Sequence, residues 1–118
     1  MSNIIAVLAR VVVDDLDEAV PLYQALAGGG PVQRFDFGGV SLANVGPFIL
    51  LAGPAVAQFA NRTATLLVRD LESVVEQVVR AGGRVLDGPG PSPNGVRLIA
   101  RNPDGAVFEY IQPDAPRA

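Results

Sequence analysis

The chain has 118 residues, of which 49% are hydrophobic and 18% are charged, and this balance suits one globular domain with a substantial core. It contains no cysteine and no histidine, which excludes disulfides, thiolate chemistry and histidine-ligated metal centres. The formal net charge of −3, with nine basic residues that are all arginine, argues against nucleic acid or an anionic membrane as the main partner.

The first half of the chain predicts a strand, a helix and three further strands. An apolar strand around residues 11–13 leads into an acidic stretch in which Asp15 and Glu18 resemble a helix capping box. Apolar residues then recur at helical spacing until the glycines at 28–30, which are typical of a helix end. Pro21 is expected to kink or shorten this helix. The strands that follow are predicted at Val32–Phe37, Val40–Val45 and 47–52.

The second half repeats this order. Residues 66–75 align with residues 11–20 at a shift of 55 (68 − 13), and Asp70 is the expected N-cap of a second helix. On this alignment Leu50 pairs with Glu109 at a shift of 59 (109 − 50), so four extra residues are placed within 88–94. The second half supplies strands at 84–86, 96–100 and 106–112. Module one therefore covers about 4–52 and module two about 63–112, with a linker at about 53–62 in a single domain, 1–118.

One carboxylate interrupts the last apolar strand. The stretch RNPDGAVFEYIQP, residues 101–113, reads as a Pro-Asp-Gly turn followed by strand-forming residues, with Glu109 in their midst. A buried ionised carboxylate costs several kcal/mol unless it finds a cation, hydrogen bonds or a metal. Three interpretations of Glu109 are open: a pocket residue, a member of a structural ion pair, or an exposed residue.

Two βαβββ modules, the first opened by VVVDDLDEAVPLYQALAG and the second closed by RNPDGAVFEYIQP, resemble the vicinal oxygen chelate superfamily. This superfamily includes glyoxalase I, extradiol dioxygenases and the fosfomycin- and bleomycin-resistance proteins. The resemblance covers roughly residues 4 to 112. It implies an α+β fold in which a curved mixed sheet forms a cup with helices outside, and in which the metal enzymes place one ligand on each of four strands. Carried over to this sequence, those positions are Leu8, Leu50, Thr63 and Glu109.

Only one of these four positions carries a good metal ligand, Glu109, and the residues that flank the other three positions offer no carboxylate. Metal-dependent glyoxalase or dioxygenase activity is therefore not expected, and no cofactor is predicted. What remains resembles the metal-free branch of the superfamily, in which bleomycin-resistance-type homodimers sequester a small molecule.

Strand alternation predicts which side chains line the cup. Arg10 is expected there and would pair with Glu109 or hold an anionic or carbonyl group of a ligand. Arg97 is interpreted as a structural or rim residue. The predicted ligand-binding residues are Arg10, Phe48, Leu50, Thr63, Thr65 and Glu109.

The sequence thus predicts a metal-free protein that binds a small molecule as a homodimer. The alternative is a metal-independent isomerase or lyase of the same fold in which Glu109 is the acid or base and Arg10 steadies an oxyanion. A third possibility is an interaction module whose cup is filled by its own side chains. No apolar run approaches the ~18 residues of a membrane span and no signal peptide is visible, so we expect a cytoplasmic location.

Overall fold

The structure, a computed structural model, describes residues 2–114. Two α-helices and eight strands in this range form two successive βαβββ arrangements, which confirms the predicted α+β fold. No helix within it is long and apolar enough to span a membrane. The elements are β1 (Ile4–Val12), α1 (Leu16–Leu26), β2 (Val32–Phe37), β3 (Val40–Val45), β4 (Phe48–Ala52), a 3-10 helix (Val56–Phe59), β5 (Ala64–Val68), α2 (Leu71–Ala81), β6 (Arg84–Ser92), β7 (Gly95–Arg101) and β8 (Val107–Pro113).

The chain divides into two compact units. The first unit is Leu8–Asn61, and the second comprises the described residues of Met1–Val7 and Arg62–Ala118. In the first unit the strands lie in the order β2-β3-β4-β1, with β1 parallel to β4 and the other neighbours antiparallel. The second unit has the same pattern, because its order is β6-β7-β8-β5 with β5 parallel to β8.

Helix α1 begins where the sequence predicts. The Asp15 side chain accepts hydrogen bonds from the backbone N–H groups of Asp17 at 2.8 Å and Glu18 at 3.3 Å, so it is the N-cap. The helix continues for five residues beyond Pro21, so the expected shortening is not seen, and the expected kink stays a prediction. Proline removes one backbone donor and its ring crowds the carbonyl four residues earlier, but the apolar face of the helix stays packed. The core beneath α1 contains Leu16, Val20, Ala43, Val45, Leu50 and Ala52.

Helix α2 is capped at both ends. The Asp70 side chain accepts from the Glu72 backbone N–H at 3.0 Å, and Gly82 ends the helix with a φ of 102°. The core beneath α2 is made by Ala64, Leu66, Val68, Leu71, Val74, Val78, Leu98, Ala100 and Tyr110.

Strand β6 is longer than predicted. The glycine- and proline-rich run that the sequence places in a loop belongs to β6, which reaches Ser92. Its pairing with β7 shifts register on both sides of Asp87, between Val85 and Asp87 and between Asp87 and Gly90. The extra residues are thus absorbed as irregularities of a strand, as in a β-bulge, instead of as a separate loop.

Candidate functional site

Glu109 lies on β8, on the face of the second unit that is turned away from α2. Its neighbours Phe108 and Tyr110 pack in the core beneath α2. Because side chains alternate along a strand, Glu109 points to the opposite face, which we call the α2-distal face. Its side chain is only 14% exposed. The interpretation of Glu109 as an exposed residue is therefore wrong.

Both oxygens of the Glu109 carboxylate accept hydrogen bonds from neighbouring strands. The Thr65 hydroxyl, opposite Glu109 on β5, donates to Oε1 at 2.9 Å. The Nε–H of Arg97 on β7 donates to Oε2 at 3.2 Å. Thr65 is completely buried. The apolar side chains of Ile99 and Ile111, which alternate with the core residues, occupy the same face.

Arg97 links this buried carboxylate to one at the surface. The residue is 8% exposed, and its Nη1 lies 3.3 Å from Oδ2 of Asp87, whose side chain is 68% exposed. Burial of a guanidinium is costly unless its charge and donors have partners, and these two carboxylates contribute to that here. The sequence predicts a structural or rim position for Arg97, and its contact with Glu109 emerges only from the structure.

Gly88 makes this arrangement of Asp87 and Arg97 sterically accessible. Its φ is +85°, a conformation that residues with a Cβ rarely adopt. A Cβ at this position would lie 2.7 Å from the backbone oxygen of Arg97 and 3.1 Å from the Cα of Leu98. Strand β6 can therefore approach β7 closely beside Asp87 only with glycine here.

Thr63 and Val107 stand at the edge of the α2-distal face. The backbone N–H of Thr63 donates to the Val107 carbonyl at 2.7 Å, immediately before β5 begins. Thr63 is exposed and shares its side of the strand with Thr65 by alternation. Thr63, Thr65 and Glu109 thus share one face of the sheet, as predicted. Their contact with a ligand stays a prediction.

Arg10 lies in the first unit. Its Nη2 donates to the backbone carbonyl of Phe59, in the 3-10 helix, at 2.8 Å. Val11 and Val13 pack against the core beneath α1, so alternation turns Arg10 away from that helix, as predicted. The pairing of Arg10 with Glu109 stays a prediction.

Phe48 and Leu50 point in the direction opposite to the one predicted. Leu50 is completely buried in the core beneath α1, and the Phe48 ring meets the Tyr23 ring edge-on at a centroid distance of 5.0 Å. Both side chains therefore face the helix. Their predicted place in the ligand-lining surface is wrong, because the alignment of the two halves sets β4 one residue out of register with β8.

The parallel strand pairs show where the one-residue error arose. Val11 stands opposite Leu50, and Leu66, its equivalent at a shift of 55, stands opposite Tyr110. Leu50 is therefore equivalent to Tyr110 at a shift of 60 (110 − 50), and Ile49 is equivalent to Glu109. The second unit carries five extra residues (60 − 55) instead of four.

The corrected register leaves no set of metal ligands. The four positions that the family resemblance indicates are now Leu8, Ile49, Thr63 and Glu109, of which two are apolar and one is a neutral hydroxyl. Among the described residues, no group of three or more His, Cys, Asp or Glu side chains could hold a metal ion. The residues present do not fit a catalytic divalent cation, which needs about three protein ligands.

Several acidic residues at the start of α1 and on β2 have structural partners. Asp17 pairs with Arg34 on β2 at 2.6 Å, and the Ser41 hydroxyl donates to Asp36 at 2.9 Å. A cleft of about 500 Å³ lies among these side chains. Capping and surface pairing account for these carboxylates without an acid–base role.

The fold and the α2-distal network define a protein built like the glyoxalases, with an arginine–carboxylate centre in the second unit. The family model described as Glyoxalase/Bleomycin resistance protein/Dioxygenase superfamily matches residues 4–110, and the chain belongs to this superfamily. No curated protein shows significant sequence similarity to the chain.

Solved structures with the same fold include three informative relatives. An uncharacterized hypothetical protein from Methanosarcina mazei is 30% identical, with 99% of this chain and 98% of that chain covered and a TM-score of 0.90. Methylmalonyl-CoA epimerase from Mycobacterium tuberculosis is 20% identical, with coverage of 98% and 92% and a TM-score of 0.68. A variant of Streptomyces coelicolor methylmalonyl-CoA epimerase in complex with 2-nitronate-propionyl-CoA is 19% identical, with coverage of 100% and 99% and a TM-score of 0.72. The similarity to the two epimerases shows the fold alone.

Proposed function

We propose that this protein binds a small organic molecule at the α2-distal face of the second unit, without a metal ion. The observation that carries the proposal is the buried set of Thr65, Arg97 and Glu109 among the apolar side chains of Ile99 and Ile111. A few fixed polar groups in an apolar setting are typical of small-molecule sites. Thr63, exposed at the edge of this face, is a further proposed contact.

The hydrogen bonds of Glu109 suit a role in positioning. Each of its oxygens accepts one hydrogen bond, Oε1 from Thr65 and Oε2 from Arg97. A carboxylate oxygen can accept a second one, so a metal-independent isomerase or lyase with Glu109 as the base is the second candidate function. In our proposal Glu109 is instead a positioning residue that fixes the Arg97 guanidinium.

Metal-free binding is supported by the chemistry of the residues that would have to act as ligands. Leucine and isoleucine at two of the four family positions cannot coordinate a cation, and Glu109 with Thr63 cannot compete alone with water for it. The site thus keeps the family's scaffold but relies on a guanidinium for its positive charge.

We also infer that the protein acts as a homodimer. Ile5 and Val7 point to the same side of β1 and are 47% and 58% exposed, so they form an apolar surface that a partner could cover. In a two-fold dimer, the same apolar patch of a second copy would cover these side chains.

Nuclear magnetic resonance on the whole protein tests the binding proposal. Amide spectra are recorded while a panel of small metabolites is added, without metal. The proposal expects some members of the panel to shift the signals of Thr65, Ile99 and Glu109 saturably and to leave that of Glu76 on α2 in place. A panel in which nothing shifts these three amides, or in which binding requires an added divalent cation, would contradict it.

A further inference from the structure

The two carboxylates that contact Arg97 differ greatly in their surroundings. The Glu109 side chain is 14% exposed and also accepts from Thr65, whereas the Asp87 side chain is 68% exposed. A charge pair that is withdrawn from water depends strongly on its partner, while an exposed pair contributes little. Of these two carboxylates, Glu109 is therefore held firmly by Arg97, and Asp87 is the one that can exchange.

We propose that the ligand of this protein carries a carboxylate, which binds Arg97 at the place that Asp87 occupies in the structure. This inference rests on the proposed binding function and specifies its ligand class. The incoming carboxylate would accept from Nη1 of Arg97, while Nε stays bound to Glu109. The Asp87 carboxylate would return to water, to which it is already largely exposed.

The geometry of β6 favours such an exchange. Asp87 lies between two shifts of register in the β6–β7 pairing, and its side chain is 68% exposed, so the carboxylate can turn to water while the backbone stays paired. Gly88 and its close approach to the Arg97 carbonyl keep the backbone of this irregular stretch in place. The strand would thus stay where it is while one side chain leaves the guanidinium.

The charge balance favours a carboxylate over a neutral group. Arg97 is buried with two carboxylates, and removal of Asp87 without replacement would leave Nη1 without that acceptor. A ligand carboxylate restores both the acceptor and the charge, whereas an amide restores only the acceptor. A planar carboxylate also matches the donor geometry of a guanidinium.

Asp87 then acts as an internal competitor, and its neutralisation should tighten binding. Asp87→Asn keeps the size of the side chain and removes the charge. Because exposed pairs are weak, the expected gain in affinity is about two- to five-fold. Glu76→Gln, on α2, removes the same charge from an exposed position outside the site and serves as the matched control.

The test is a titration with butyrate and, separately, with the isosteric neutral butyramide. The signals of the Arg97 Nε–H group and of the Leu98 amide are followed by nuclear magnetic resonance. The proposal expects saturable shifts with butyrate, at least about two-fold tighter binding in Asp87→Asn, unchanged binding in Glu76→Gln and much weaker binding of butyramide. Arg97→Gln should abolish the butyrate response.

Equal binding of butyrate and butyramide would overturn the inference, and so would no gain of affinity in Asp87→Asn. Saturable binding of neutral metabolites at Thr65 and Glu109 together with no response to butyrate would leave the proposed function standing and remove the carboxylate assignment. Tighter binding of inorganic phosphate than of butyrate would overturn the assignment to a carboxylate. The Asp87→Asn measurement does not depend on the folding of Arg97→Gln.

Discussion

Arg97 and Glu109 form an ion pair in which Nε lies 3.2 Å from Oε2 and the two side chains are 9% and 14% exposed. The residues are not directly opposite each other in the β7–β8 ladder, because Arg97 faces Ile111 and Glu109 faces Ile99. The pair is thus a diagonal one, within reach of a long side chain such as arginine. The ion pair explains why an apolar strand contains a carboxylate, because Glu109 holds the guanidinium of Arg97.

The first prediction concerns the energy of this pair. Arg97→Met and Glu109→Gln should each lower the free energy of unfolding by about 3 kcal/mol, because each leaves the other charge buried with fewer partners. The double mutant should lose much less than the sum of the two. Urea denaturation of the four proteins measures this coupling. Strictly additive losses would mean that the two side chains do not stabilise each other.

The second prediction compares two glycines of β6. Gly88→Ala should cost about 1–3 kcal/mol, because the new Cβ would meet the Arg97 carbonyl at 2.7 Å and φ is +85°. Gly90→Ala should stay within about 0.5 kcal/mol, since no atom lies within 4 Å of its Cβ position. Thermal or urea unfolding of both variants checks the difference. Equal effects would show that β6 does not need its close approach to β7.

The third prediction is a dependence of stability on alkaline pH. Burial beneath α2 raises the pKa of Tyr110 above its ordinary value of 10.0. The folded chain therefore holds this proton more tightly than the unfolded chain does. The stability that the neutral phenol contributes is complete below pH 10.0 and is lost as the pH rises through the higher folded pKa.

Tyr110→Phe isolates this contribution because it keeps the ring and removes the titrating hydroxyl. Urea melts at about pH 8 and about pH 11 should show a larger loss of stability in the unmodified protein than in the variant. Parallel losses in the two proteins would assign the alkaline transition to other groups.

The fourth prediction is the homodimer. Sedimentation equilibrium should give about twice 12.3 kDa. Val7→Glu places a charge in the exposed apolar part of β1 and should shift the population towards the monomer. Val79→Glu makes the same change at a comparably exposed position on α2 and should not. A monomer at tens of micromolar in the unmodified protein would contradict the dimer.

The fold could be predicted because its local patterns agree with one another. Both helices have an aspartate N-cap, Asp15 and Asp70, and the second ends at a glycine in a left-handed conformation. Glu109 could be singled out because a lone carboxylate within an apolar strand requires an explanation. Helix caps and a carboxylate in an apolar run depend on residues close together in the chain, so they can be recognised from the sequence.

The register of β4 could not be predicted for a physical reason. Every residue from 49 to 52 is buried, so the strand is apolar on both faces and has no alternation from which its direction could be read. In β8 the polar Glu109 indicates which residues face away from the core. The predicted direction of Phe48 and Leu50 is wrong because it rests on aligning β4 with β8 at a shift of 59, whereas the strand pairs give a shift of 60.

The role of Arg97 was also out of reach of the sequence. It depends on a diagonal contact between β7 and β8 and on an irregularity of β6 that brings Asp87 to the guanidinium. The run of glycines and prolines that creates this irregularity reads as a loop. Residues 88–92 belong to a strand because β7 supplies their hydrogen-bonding partner.

Native mass spectrometry of the protein purified from its own cells, without chelators, decides whether the site holds an organic molecule without a metal ion. We expect a chain that carries an organic molecule, contains no stoichiometric Zn²⁺, Ni²⁺, Fe²⁺ or Mn²⁺, and loses the organic molecule in Arg97→Gln. One metal ion per chain that survives dialysis, or an organic molecule that Arg97→Gln retains in full, would contradict it.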